Sequence, residues 1–186
     1  MKKMLLAAAF VAFTGSAPAA ELAGVTLPDT VELGGQELVL NGMGLREKFW
    51  VDVYVGALYL PEPADTAETA INMDGPSRVV MHFVHDAPAD KIVDGWKEGF
   101  ANNNEKAVID ALGERIATFN GFFTEDIVEG QAVVLDYVPG QGTTVSIDGE
   151  MKGTIEGADF NRALRAVWLG PKPPSKEFRG GLLGKE

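Results

Sequence analysis

Three β-rich segments, Ala132 to Val138, Thr143 to Ile147 and Met151 to Ile155, are joined by connections too short for anything but hairpins. The first connection is Pro139-Gly140-Gln141-Gly142 and the second Asp148-Gly149-Glu150, whose Asp-Gly pair is the sharper turn signal. This block commits the chain to an antiparallel sheet. Upstream, Glu37 to Leu40 reads as a short strand ending in a turn at Asn41-Gly42. Phe49 to Leu60, rich in Val and Tyr, reads as a long strand that Pro61 and Pro63 end. Alternation puts Val51, Val53 and Val55 on one face and Asp52, Tyr54 and Gly56 on the other. Arg78 to Val84 is a further strand.

Helical spacing occupies the intervals. Asp65 to Met73 allows one or two turns. Ala89 to Phe100 aligns Ile92, Val93, Trp96 and Phe100 in a stripe behind Pro88, a residue tolerated in a first turn. Asn102 to Asn104 suggest a break, and Glu105 to about Phe119 turns Val108, Ile109, Leu112 and Ile116 inward. Asp159 to Leu169 and Ser175 to Leu183 close the chain as helices. Strands, helices, strands and helices in that order predict an α+β domain with its helices gathered on one face of an antiparallel sheet.

The first twenty residues read as a signal peptide. Lys2 and Lys3 precede the apolar run Met4 to Phe13, and Ala17-Pro18-Ala19 offers small residues for cleavage near Ala19 or Ala20. The run is too short to span a bilayer. Residues 21–186 then form one domain, expected in the periplasm or secreted, with no stable membrane insertion after cleavage. There are no cysteines, which removes disulfides, thiolate metal sites and cysteine nucleophiles. With 27 acidic against 16 basic residues, the surface repels nucleic acid and anionic headgroups unless a local basic patch exists, and the sequence contains none.

No GxSxG, HExxH, Walker or GxGxxG motif occurs in its required context, so no cofactor and no metal are expected. His82 and His85 are three apart on a strand and point to opposite faces, so they do not share a metal. The informative stretch is Gly42-Met43-Gly44-Leu45-Arg46-Glu47-Lys48. Its glycines allow a tight turn, and Arg46 follows at the start of the longest strand. Such an arginine either clamps a carboxylate or phenolate through paired hydrogen bonds or forms a salt bridge with one of the chain's many acids. The segment alone does not choose.

This stretch, the Val53 to Leu60 strand, Trp96-Lys97-Glu98-Gly99-Phe100 with its asparagines, Tyr137-Val138-Pro139-Gly140 with Gly142-Thr143, and Gly157-Ala158-Asp159-Phe160 through Trp168-Leu169-Gly170 together resemble the chalcone isomerase-like family. The resemblance covers nearly all of residues 21–186. It implies an open-faced β-sandwich, a large antiparallel sheet against a layer of helices, with a ligand cleft between them. The family holds plant enzymes that cyclise chalcones, plastid fatty-acid-binding proteins, and bacterial members. The resemblance places Arg46 at the enzymes' substrate-steering arginine and Asn103 at their asparagine. It places Tyr54 and Val167 where the enzymes have threonines, and Trp96 where they have a tyrosine. An indole only donates and a valine supplies nothing polar, so ketone polarisation should be poor. The reading is an exported non-catalytic binding protein for a fatty acid or similar apolar acid, with ligand-binding residues Arg46, Tyr54, Trp96 and Asn103. The alternatives are an intramolecular lyase of chalcone isomerase type and a partner-binding protein whose cleft is filled.

Overall fold

The computed structural model describes residues 19–185. The hydrophobic run of the expected signal peptide lies outside the described residues. Strand β1 (Ala19–Leu22) pairs with β2 (Val25–Pro28) as a separate two-stranded hairpin. The expected cleavage positions, Ala19 and Ala20, are therefore the first two residues of β1.

Seven further strands form one antiparallel sheet in which spatial order equals chain order. They are β3 (Thr30–Leu33), β4 (Gln36–Lys48), β5 (Val51–Leu60), β6 (Ser77–Phe83), β7 (Ala132–Val138), β8 (Gly142–Ile147) and β9 (Glu150–Ile155). Helix α1 (Ala67–Asn72) links β5 to β6, and α2 (Ala89–Asn103) with α3 (Lys106–Asn120) links β6 to β7. Helices α4 (Ala158–Leu169) and α5 (Lys176–Leu182) end the chain. The predicted α+β class and antiparallel sheet with its helical layer are what the structure contains. Among the described residues no helix is long and apolar enough to cross a membrane.

The sheet's helix-facing side holds the main core. Tyr54, Leu58, Leu60, Val79, Met81, Phe83, Val133, Leu135 and Val145 meet the helices there. Strand alternation sends Ala57, Tyr59 and Val80 to the other face, where Leu27, Val31 and Leu33 cover them. Tyr59 also donates its hydroxyl to Pro28 O at 2.9 Å, fastening the β1–β2 hairpin down. Burial on both faces explains why β5 is apolar from Val53 to Leu60 apart from its tyrosine hydroxyls. Helix α4 lies deepest, with every residue from Phe160 to Leu169 buried except Arg162. Its rings and those of α2 and α3 pack edge to face, with Trp96 meeting Phe119 at 5.0 Å and Trp168 at 5.4 Å between ring centroids.

Three local expectations are corrected. Asn41-Gly42 is no turn. It sits at a bulge inside the thirteen-residue β4, where the register shifts between Leu40 and Gly42. The Asn41 amide donates to Ala64 O and Leu182 O and accepts from Ala64 N, tying this bulge to the far end of the chain. Nor do Gly42 and Gly44 make a tight turn. A Cβ on Gly42 would collide with Gly181 O, and one on Gly44 would lie 2.5 Å from Phe178 O. These glycines let α5 lie directly on the strand backbone. The real turn comes later, at Phe49-Trp50. Both residues have positive φ, 50° and 69°, the signature of a two-residue type I′ hairpin, and both are almost fully exposed.

In α3 the inward stripe is Leu112, Ile116 and Phe119, while Val108 is exposed. Helix α2 runs past Phe100 to Asn103, because the Asn103 side chain keeps the last turn bonded by donating to Gly99 O at 3.0 Å.

Candidate functional site

Between the β5–β6 part of the sheet and helices α2 and α4 lies a cavity of about 420 Å³. Its apolar wall includes Val53, Met81, Phe83, Ile92, Trp96, Val167 and Trp168. The space beside Arg46 is thus a cavity.

Arg46 reaches this cavity because β4 and β5 pair it opposite Tyr54, so both side chains stand on the helix face. A second register shift follows at once, with Glu47 opposite Asp52 and Val53 the extra residue. A bulge of this kind re-aims side chains beside a site. Arg46 Nη1 donates to Glu47 O at 2.7 Å and, more loosely, to Pro174 O at 3.3 Å. Among the described residues no carboxylate pairs with it. Of the two readings left open for Arg46, the salt bridge is therefore not what forms. A half-buried guanidinium retains N–H donors at the rim of an apolar space.

Tyr54 is buried, and its hydroxyl accepts from Trp168 Nε1 at 3.0 Å. Burial pushes the phenol up to about 12, an effect opposed by the Trp168 hydrogen bond and by the positive charge of Arg46. The phenol is therefore neutral at ordinary pH, and its own proton has no acceptor among the described residues. It is a donor beside Arg46. Trp96 lines the cavity and is a core residue as well, with its Nε1 buried and without a partner among the described residues.

Asn103 does not line the cavity. Its Nδ2 donates to Gly99 O, Val167 O and Lys172 O, and its Oδ1 accepts from Lys172 N at 2.7 Å. Those bonds fasten the end of α2 to α4 and to the Lys172–Pro174 segment that forms one cavity wall. The amide acts on the site only through that wall, and Asn102 is the asparagine that lines it.

Sequence reasoning missed Trp168, Phe83, Met81, Ile92, Lys91 and Lys172 as lining residues. The pattern alone marked Ile92 as core, and a core wall and a cavity wall have the same hydrophobic signature. The cations carried a signal only in three dimensions. Arg46, Lys48, Lys91 and Lys172 come from β4, α2 and the loop after α4, yet they surround one cavity, with Glu98 the sole acidic lining residue. The chain as a whole has a net charge of −11. The expectation of no basic patch is corrected by folding, which gathers what the sequence scatters.

A solved structure of an Arabidopsis thaliana fatty-acid binding protein superposes with a TM-score of 0.70 at 16% identity, covering 89% of this chain and 96% of that chain. At that identity the match speaks for the fold. No curated protein matches the sequence significantly. The family model described as chalcone isomerase-like matches residues 19–184, and the chain accordingly belongs to the chalcone isomerase-like family.

Proposed function

We propose that this is an exported, non-catalytic binding protein that holds a fatty acid or similar apolar acid in the cavity, its head group on Arg46 and Tyr54. The observation that carries the reading is a guanidinium without a carboxylate partner among the described residues, placed at the edge of an apolar cavity of about 420 Å³. That volume lies within the range of roughly 300–1,000 Å³ common for small-molecule sites. Four surrounding cations favour an anionic head, and the apolar walls favour a hydrocarbon body. The likeness in fold to a protein described as binding fatty acids supports the same ligand class. The chalcone-cyclising alternative has less to work with, because Val167 and Trp96 line the cavity where that chemistry uses hydroxyls.

The test is titration of the purified mature chain with a fluorescent long-chain fatty acid, alongside mass spectrometry of lipid retained through purification. Arg46→Met should weaken binding by about ten- to a hundredfold, the value of a charge-assisted hydrogen bond or two, with little change in melting temperature. Gly95→Leu should also abolish binding while the protein stays folded, because nothing lies within 4 Å of a Cβ at this cavity-lining position. No saturable affinity in the parent protein, or unchanged affinity in both variants, overturns the proposal.

A further inference from the structure

Arg165 breaks the usual rule for buried charge. It sits on α4 at 3% exposure, and only its Nη2 is engaged, donating to Met73 O at 3.0 Å. Its Nε and Nη1 are buried and meet no acceptor among the described residues. Among the described residues no carboxylate forms an ion pair with it. One turn earlier on the same helix, Asn161 is also 3% exposed, and its Nδ2 donor likewise has no partner among the described residues. Buried guanidinium groups are ordinarily paired, because an unmatched charge away from water is costly.

Both side chains line one cavity of about 200 Å³, bounded by Met73, Asp74 and Gly75 after α1, by Tyr137 and Pro139 at the end of β7, and by Ala158 and Arg162 of α4. It shares no lining residue with the cavity beside Arg46. Its charged lining is two arginines against the single carboxylate of Asp74, a surplus of one positive charge. Burial, with Arg162 adding to it, holds the Arg165 guanidinium down at about 10, while Tyr137 and Asp74 only partly offset this. The charge is thus under-compensated as well as under-bonded.

We propose that this second cavity is a binding site for a small oxyanion, with Arg165 and Asn161 as its buried donors and Arg162 as the cation at its rim. An oxyanion supplies both things the cavity lacks: negative charge and several acceptor lone pairs. Size narrows the class. At about 30 Å³ per water, the space equals roughly six or seven waters. That accommodates phosphate, sulfate or a short carboxylate.

The experiment compares the melting temperature and the calorimetric titration of the mature chain in sodium phosphate, sulfate and acetate with those in chloride at matched ionic strength. The expected result is saturable binding of at least one oxyanion, with a melting temperature that rises with its concentration. Which of the three acts distinguishes a tetrahedral anion from a carboxylate. Arg165→Met should reduce the affinity by about tenfold or more. In chloride it should melt at or above the parent, since no unpaired charge is left inside. Arg46→Met should keep the full response, which separates this site from the cations around the first cavity. If Arg165→Met does not fold, Asn161→Leu replaces it as the readout and should bind several-fold more weakly. Equal behaviour in oxyanion and chloride, meaning that ordered water alone solvates Arg165, overturns the proposal. So does a response that survives Arg165→Met or disappears in Arg46→Met.

Discussion

Tyr54→Phe isolates one hydrogen bond in the wall of the first cavity, and its consequence follows from the geometry. The ring stays where it is, still 5.4 Å from Phe83 and 5.7 Å from Phe178 between centroids. What disappears is the acceptor for Trp168 Nε1, in a residue only 2% exposed. A buried donor left without a partner costs about 1–3 kcal/mol. For a domain of this length that lowers the melting temperature by roughly 3–10 °C. The same substitution has a pH signature. The folded-state phenol is raised from 10.0 to about 12, so the folded protein holds this proton more tightly than the unfolded chain does. Its contribution is complete below pH 10 and is lost as pH rises from 10 to about 12, amounting to about 2–3 kcal/mol over that window. Tyr59 is raised to about 12 by burial too, but it is common to both proteins and cancels. Urea unfolding of parent and variant at pH 8 and pH 11.5 therefore gives a stability gap at pH 8 that narrows or reverses at the higher pH. Equal stability at pH 8, or a gap independent of pH, would refute the assignment of Tyr54 as a buried neutral phenol accepting from Trp168.

Three further substitutions test the packing and the β4–β5 turn. Gly44→Ala puts a Cβ 2.5 Å from Phe178 O and 3.1 Å from the Phe178 ring, so α5 must lift. The expected loss is about 1–3 kcal/mol by urea unfolding, whereas Gly95→Ala in open space on α2 should gain about 0.5–1 kcal/mol. Replacing Phe49-Trp50 by Asn-Gly gives the β4–β5 turn residues suited to positive φ, and should stabilise by about 1–2 kcal/mol in a thermal melt.

Much of the fold was legible because its signals are local. Alternation and the two Gly-containing turns marked β7, β8 and β9 to within a residue at their ends, and the stripe Ile92, Trp96, Phe100 marked α2. The first three strands, β1 to β3, went unread. They are four residues each and half exposed, too short for a period to show. Gly42 and Gly44 read as turn formers because backbone freedom and tolerance of close approach look alike in sequence. Only the position of α5, more than 130 residues away, separates the two. Of the four candidate site residues, Arg46, Tyr54 and Trp96 come together on one cavity, while Asn103 bonds backbone instead.

By itself the sequence determined the antiparallel sheet and its helical layer, since periodicity and turn chemistry act between near neighbours; Arg46, expected at the head of the Val- and Tyr-rich strand, lies instead near the end of β4, opposite Tyr54 of β5. Tertiary structure decided everything that depends on distance through space. It gathered cations from three elements around one cavity, left Arg46 without a carboxylate partner among the described residues, and buried Arg165 beside a second cavity. Charge and hydrogen-bond satisfaction are properties of what surrounds a side chain, and those surroundings come from strands and helices far apart along the chain.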